Sequence, residues 1–348
     1  MAQTRKILKR ILAGFGLVIV VLLVIYGDLV LYGLRQGYGQ LNIIWNARPV
    51  EEFMQDPNFP DSLKSRLRLI DEVRRYAIDS LGLKDTENYK TLYDQKGKEV
   101  MWVVLASEAF KLAPKEWKFP VVGSVPYKGF FNEKRAFALK RTLEEEGYDV
   151  IVRNPGGWST LGWFTDPILS KMLSRSEGDL ANLIIHEMSH ATIFVKDSID
   201  FNENLATFIG DRGAEQFLIH KYGVASPQYT EYIDEDRDYL QYVDHMLRGA
   251  TMLDSVYSAL APQAPKAEKL RIKENAIRRI ITNLDTLSLR LNKNPSQRFK
   301  NKLPNNAYFM NFRQYQAKQT DFMQAWKEDF GGNLRAYIAH LSEVYPFL

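Results

Sequence analysis

The feature that most constrains how this chain can fold is a pair of histidines, His186 and His190, set four residues apart in an apolar stretch. The chain has 348 residues and only five histidines, so two of the five stand here. Residues 179–195 read DLANLIIHEMSHATIFV and have helical character, and Ser176 with Asp179 makes a capping box at the start. On a helix, positions i and i+4 lie one above the other on one face, so both imidazoles can be aimed at a single ion. Glu187 stands ~100° further round the axis, off the ligand face but within reach of a water on that ion. A catalytic metal usually takes three protein ligands and leaves a position for water, so the chain must turn back and bring a third donor to this helix. Residues 201–208, FNENLATF, supply one: Glu203, twelve residues beyond His190 and past a turn at Lys196-Asp197-Ser198. At the start of a second helix its carboxylate is also favoured by the helix dipole. Two histidines and a glutamate form a recurrent zinc ligand set. The alternative is a helix that happens to hold two histidines; the apolar flanks and the Asn-Glu-x-x-Ala pattern around Glu203 argue against it.

The remaining three histidines, His220, His245 and His340, each stand alone on an expected helix and read as surface or hydrogen-bonded residues. Cysteine is absent, which excludes a disulfide framework, a thiolate metal site, a cysteine nucleophile and lipid attachment at an N-terminal cysteine. The net charge is +4. Arg5, Lys6, Lys9 and Arg10 account for all of it, so the rest of the chain is neutral and nothing favours nucleic acid as a partner.

Those four basic residues precede an apolar run from Ile11 to Leu34, interrupted near its far end by Gly27-Asp28. A spanning helix needs ~20 residues, which this run supplies. An uncleaved transmembrane anchor fits best, because a signal peptide needs small residues at its cleavage site, where Val24-Ile25-Tyr26 stand. A buried core helix is the third reading. Basic residues stay in the cytoplasm, which sends the C-terminal body to the periplasmic or extracytoplasmic side. The expected organisation is a basic tail over 1–10, an anchor or signal segment over 11–34 and one domain over 35–348.

Periodicity predicts a helix over Asp61–Leu81, short strands at 100–105 and 120–125, a helix over 132–146 capped by Asn132, a strand at 148–152 and a turn at 154–157. Residues 159–164, STLGWF, read as a short edge strand that an extended peptide could join, or equally as an internal strand or turn with Trp163 in the core. After Pro227 helices are expected over 229–260, 266–291, 312–330 and 333–344. The fold class is therefore α+β and mostly helical, with a small sheet between residues 99 and 165 and a helical C-terminal part. Pro/Gly/Ser-rich linkers and internal repeats are absent.

Four stretches carry a family resemblance: FPVVGSVPYKGFF (119–131), GYDVIVRNPGGWSTLGWFTDPILS (147–170), HEMSH (186–190) and FNENLATFIGDRGAEQF (201–217). Together they resemble the bacterial predicted aminopeptidase family of the gluzincin type, with weaker similarity reaching from Gly39 to the C-terminus and including LPNNAYFMNFRQY (303–315). The resemblance implies a zincin-like peptidase domain, Zn2+ on His186, His190 and Glu203, and Glu187 as the base. Family members are often lipoproteins, and this chain departs from them in having no lipobox cysteine. Its His190-to-Glu203 gap is also shorter than in thermolysin-like enzymes.

For peptide hydrolysis, Glu187 would take a proton from the attacking water and give it to the leaving amine. A further donor must stabilise the oxyanion, and Tyr127, Tyr308 and His220 are the candidates. Asp211 and Glu215 either orient a ligand histidine or face solvent. Exopeptidase and endopeptidase stay open, and so do two other readings: an envelope protein with a purely structural metal, and a binding module using the C-terminal helices.

Overall fold

The computed structural model describes residues 26–119, 123–155, 165–196, 198–316 and 319–345. The chain divides into two units, Met1–Asn46 and Ala47–Leu348. Of the first unit, residues 26–46 form helix α1. Most of the expected span over 11–34, and all of the basic tail, lie outside the described residues. Among the described residues, no helix is long and apolar enough to cross a membrane.

The second unit begins with strand β1 (Arg48–Pro49) and helix α2 (Val50–Gln55), followed by α3 (Asp61–Asp79). Helix α3 starts directly after Pro60; of the helical spacing Leu63, Leu67, Ile70 and Ala77 in its sequence it buries the last three, together with Val73, and leaves Leu63 half-buried. Strands β2 (Thr91–Tyr93), β3 (Trp102–Ser107), β4 (Trp117–Phe119), β5 (Gly123–Val125) and β6 (Tyr127–Phe130) lead to helix α4 (Glu133–Glu145). Asn132 caps α4 by accepting from Arg135 N, as its position before the apolar pattern predicts. Strands β7 (Asp149–Arg153) and β8 (Ile168–Leu169) follow. Among the described residues there are, in place of one sheet, three small ones, ordered β1-β2-β8, β6-β3-β7 and β4-β5. Strand β3 is central and antiparallel to both neighbours, with Leu105 opposite Tyr127 on one side and Ile151 on the other. The STLGWF segment lies outside the described residues.

The helical part comprises α5 (Glu177–His190), α6 (Ile199–Tyr222), α7 (Pro227–Ser258), α8 (Lys266–Thr282), α9 (Asn306–Gln316), α10 (Gln319–Glu328) and α11 (Leu334–Val344). Helix α8 stops nine residues short of its expected end at Leu291. Beyond it, the amides of Arg290 and Leu291 donate to the Asp238 carboxylate on α7 at 2.9 and 2.7 Å, a long-range partner that competes with a continued helix. The expected helix over 312–330 is two helices, and the first begins six residues early, at Asn306.

Helices α5 and α6 form the centre. Glycine makes their close approach possible: a Cβ on Gly210 would lie 2.9 Å from Asn182 Oδ1 and 3.1 Å from His186 Cβ, and one on Gly213 would lie 2.9 Å from Ile185 Cγ2. On the other side of α6, Phe208 is buried in a nest of Phe322, Trp326 and Tyr337, with ring centroids 5.9–6.0 Å away. A second apolar cluster joins α7, α8 and α9 through Met246, Ala250, Leu253, Ile277, Ile280 and Phe309. Asn306 ties that cluster to the sheet. Its backbone N–H donates to Asp149 on β7 at 2.7 Å, its amide to Glu108 O at 2.8 Å, and its carbonyl accepts from Tyr257 at 2.6 Å.

Candidate metal centre

Ser176 caps α5 by accepting from Asp179 N, and the helix runs through both motif histidines to end at His190. The imidazoles of His186 and His190 lie on one face with ring centroids 4.9 Å apart, nearly perpendicular. After a short reversal α6 begins at Ile199, and Glu203 sits in its second turn. Buried Asn202 holds the reversal: its carbonyl accepts from Val195 N at 2.8 Å and its amide donates to Val195 O at 2.7 Å. On the other side of Glu203, the Asn204 carbonyl accepts from Gln319 on α10 at 2.9 Å. The glutamate is therefore fixed from both chain directions.

The result is a three-donor cluster. Glu203 Oε2 is 3.7 Å from His186 Nε2, and Glu203 Oε1 is 3.7 Å from His190 Nε2. One ligand atom from each of the three residues lies within 4.8 Å of the others. Two ligands at ~2.1 Å from a tetrahedral ion stand ~3.4 Å apart, so these separations suit an ion at the shared point. They are too long for ordinary hydrogen bonds. Among the described residues His190 Nδ1 is buried with no partner, leaving Nε2 as the nitrogen that meets the shared point.

The electrostatics fit ligand duty. Burial pushes His190 down to about 4, so it is neutral at pH 7, as a metal ligand must be. Burial opposes ionisation of Glu203, but the facing imidazoles and Arg153 on β7 outweigh it and hold the carboxylate down at about 2. Burial likewise opposes charge on His186, but the facing Glu203 carboxylate and the charge of Glu187 raise it overall. Glu187 is buried on an adjoining face of α5, and burial, reinforced by Glu203 and Asp166, pushes it up to about 7.

Two of the oxyanion candidates, Tyr308 and His220, have partners of their own outside the triad. The Tyr308 hydroxyl is 2.9 Å from that of Tyr242 and accepts from Arg298, so among the described residues its partners belong to the α7–α9 cluster and none belongs to the triad. Tyr127 begins β6 opposite Leu105. His220 stacks on Tyr76 of α3 with centroids 5.3 Å apart. His245 Nε2 lies 2.8 Å from Ile280 O, and His340 stacks on Phe330 at 5.2 Å. Asp211 takes a hydrogen bond of 2.6 Å from Asn182, one turn before His186, and Glu215 pairs with Arg212 and Tyr229. Burial and the charge of Asp236 push Asp211 up to about 7.

Two further buried residues, linked to each other through the backbone, were not found from sequence. Asp166 is 1 % exposed and Tyr89 3 % exposed. Tyr89 N donates to Asp166 O at 2.8 Å, and Asp166 N to Asn88 Oδ1 at 2.9 Å. The only local signal was the tripeptide Glu-Asn-Tyr in a short inter-element segment, which carries no spacing rule.

The class this geometry defines is a helix-borne cluster of two histidines and a glutamate, with a second, buried glutamate beside it, on an α+β scaffold that is mostly helical. The chain belongs to the family described as "Putative aminopeptidase", whose profile matches residues 31–345. That description supports a peptidase function. No curated protein and no solved structure matches the chain.

Proposed function

We propose that this protein is a zinc-dependent peptidase of the HExxH type, acting as an aminopeptidase, with the ion held by His186, His190 and Glu203. The observation that carries the reading is Glu203, brought from α6 to 3.7 Å from both imidazoles within a family described by that activity. When bound, zinc supplies a water of near-neutral pKa and an electrophile for the scissile carbonyl. Glu187 takes the proton of the attacking water on a carboxylate oxygen and hands it to the nitrogen of the leaving amine. Burial of Glu187 excludes bulk water that would compete for that proton. The basic tail and apolar run at the N-terminus support attachment to a membrane with the domain on its extracytoplasmic side, which fractionation of tagged protein would test.

The experiment is hydrolysis of a panel of aminoacyl and N-blocked peptides by wild type beside Glu187→Gln. Glu187→Gln keeps its zinc and loses ~10²–10⁴-fold in turnover. Equal activity in the two proteins removes Glu187 from its role, and cleavage of N-blocked substrates removes the aminopeptidase reading.

A further inference from the structure

The chain beyond Arg10 is neutral as a whole, but its charge is segregated. Residues 266–302 hold eleven lysines and arginines against three acidic residues, a net +8. Everything else beyond Arg10 therefore carries a net −8. Like charge gathered in this way repels itself in the free protein, and an anionic partner relieves the repulsion. The segment comprises α8 and the chain after it, through a 3-10 turn at Pro295–Phe299.

A cleft of about 450 Å³ opens between the last turns of α8 and residues 296–303, within the size range of small-molecule sites. Two kinds of side chain line it. Arg278, Lys300 and Lys302 supply cations, and Ile281, Phe299 and Leu303 supply apolar surface. The one acid in the lining, Glu274, accepts from Arg278 at 2.6 Å. Lys300 and Lys302 are exposed, and among the described residues neither ammonium has a hydrogen bond or an ion pair.

The wall that carries these lysines is held in place by its own contacts. Asp285 accepts from Ser296 N at 3.0 Å and from the Ser296 hydroxyl at 2.5 Å. The Arg298 guanidinium lies 4.8, 4.9 and 5.6 Å from the ring centres of Phe299, Tyr242 and Tyr308, and it donates to the Tyr308 hydroxyl. A wall fixed in this way cuts the cost of ordering the site on binding. The apolar lining decides between anions. A bare phosphate is strongly hydrated and gains nothing from Ile281, Phe299 or Leu303, whereas a phosphodiester bearing glycerol and acyl chains satisfies both halves of the cleft. Leu270, on the same row of α8 as Glu274 and Arg278, is 43 % exposed and extends the apolar surface along the helix.

We propose that this cleft binds the head group of an anionic phospholipid, with Arg278, Lys300 and Lys302 on the phosphate and Ile281, Phe299 and Leu303 against the glycerol and first methylenes. The inference does not depend on the zinc chemistry. It adds a contact of the folded domain to the membrane attachment proposed for the N-terminus.

The test is calorimetric titration of the full-length protein, in a nonionic detergent, with dihexanoyl phosphatidylglycerol, dihexanoyl phosphatidylcholine, glycerol phosphate and inorganic phosphate. Phosphatidylglycerol should bind at least ~10-fold more tightly than each of the others, and at least ~10-fold more weakly at about 0.5 M salt than at about 0.05 M. Lys300→Ala/Lys302→Ala should keep the wild-type melting temperature and bind this lipid ~10–30-fold more weakly. Lys96→Ala/Lys98→Ala removes two exposed charges that are not in the cleft, and should stay within ~2-fold of wild type. Failure to bind phosphatidylglycerol, or equal binding of phosphatidylcholine, overturns the proposal. Equal binding of inorganic phosphate overturns the lipid assignment in favour of free phosphate, and displacement of the lipid by a single-stranded oligonucleotide overturns it in favour of nucleic acid. Equal losses in the two lysine pairs reduce the effect to net charge and overturn the cleft. None of these readouts uses catalysis, so a failure of the peptidase reading leaves them unchanged.

Discussion

Gly210→Ala separates metal binding from folding, because its added methyl would press on the helix turn that carries a ligand. The new Cβ would meet Asn182 Oδ1 at 2.9 Å, the Asn182 carbonyl oxygen at 3.1 Å and His186 Cβ at 3.1 Å, where ordinary contact begins at 3.4 Å. The Asn182 side chain can rotate away, but its carbonyl and the His186 Cβ belong to the body of α5. The two helices must therefore part by about 0.3 Å at the level of His186. Overpacking of this kind costs about 1–3 kcal/mol, and the better helix propensity of alanine returns up to about 1 kcal/mol. The net loss of stability is thus modest, on the order of 1 kcal/mol, or roughly 2–4 °C in a domain of this size. The displacement falls between the residues that carry His186 and Glu203, and misplacing a ligand by its supporting shell typically costs ~10–100-fold in metal affinity.

Gly213→Ala is the control. Its Cβ would meet Ile185 Cγ2 at 2.9 Å and Leu81 Cδ1 at 3.0 Å, both atoms of buried apolar side chains, and no atom of a ligand. Zinc affinity measured by competition with a chromophoric chelator, alongside thermal melting of the metal-free proteins, should show a ~10–100-fold loss for Gly210→Ala and less than ~3-fold for Gly213→Ala at similar melting temperatures. Wild-type affinity in Gly210→Ala, or affinity losses that track melting temperature in both variants, would refute the account of how α6 positions Glu203.

Asn202→Ala removes both hydrogen bonds that hold Val195 in the α5–α6 reversal; it should cost about 1–3 kcal/mol in urea unfolding and weaken zinc binding as well. Asn306→Ala strands the buried Tyr257 hydroxyl and the Glu108 carbonyl. It should cost about 2–4 kcal/mol while leaving one zinc per chain, which metal analysis of the folded variant would check. Asp211 is pushed up to about 7, so the folded state holds a proton there that the unfolded chain releases near its ordinary value of 3.8. Its contribution to stability is full below that value and declines as pH rises toward 7. The groups facing it are Asp236, Arg212, His186 and Asn182. Asp211→Asn should flatten that part of the melting-temperature profile between pH 4 and 8, and an unchanged slope would remove the assignment.

The cluster of two histidines and a glutamate was legible because its geometry is local: i and i+4 on one helix, then a carboxylate one short reversal away. The helix caps at Asn132 and Ser176 were legible for the same reason, since each is a side chain bonding three residues on. What was missed depends on distant partners. Asn305 and Asn306 lie ahead of the helix expected from 312, yet the helix begins at Asn306, where Asp149 and Val150, 155 and more positions back in the chain, accept from these two residues. Helix α8 yields to Asp238, 52 residues earlier. Tyr89 adopts a backbone that its residue type disfavours because Asp166, 77 residues later, holds it there. The divided sheets escaped notice because β1 and β8 are two residues long and β2 is three, too short to show alternation. Tyr308 was nominated for chemistry as one of many tyrosines, and its hydroxyl is spent on Tyr242 and Arg298.

The most direct measurement is the metal content of the purified protein, wild type beside Glu203→Ala, by elemental mass spectrometry after dialysis against a weak chelator. Wild type should carry ~1 zinc per chain and Glu203→Ala close to none while remaining folded. A folded wild type that takes up no zinc, or a Glu203→Ala that retains it in full, would contradict the three-ligand centre.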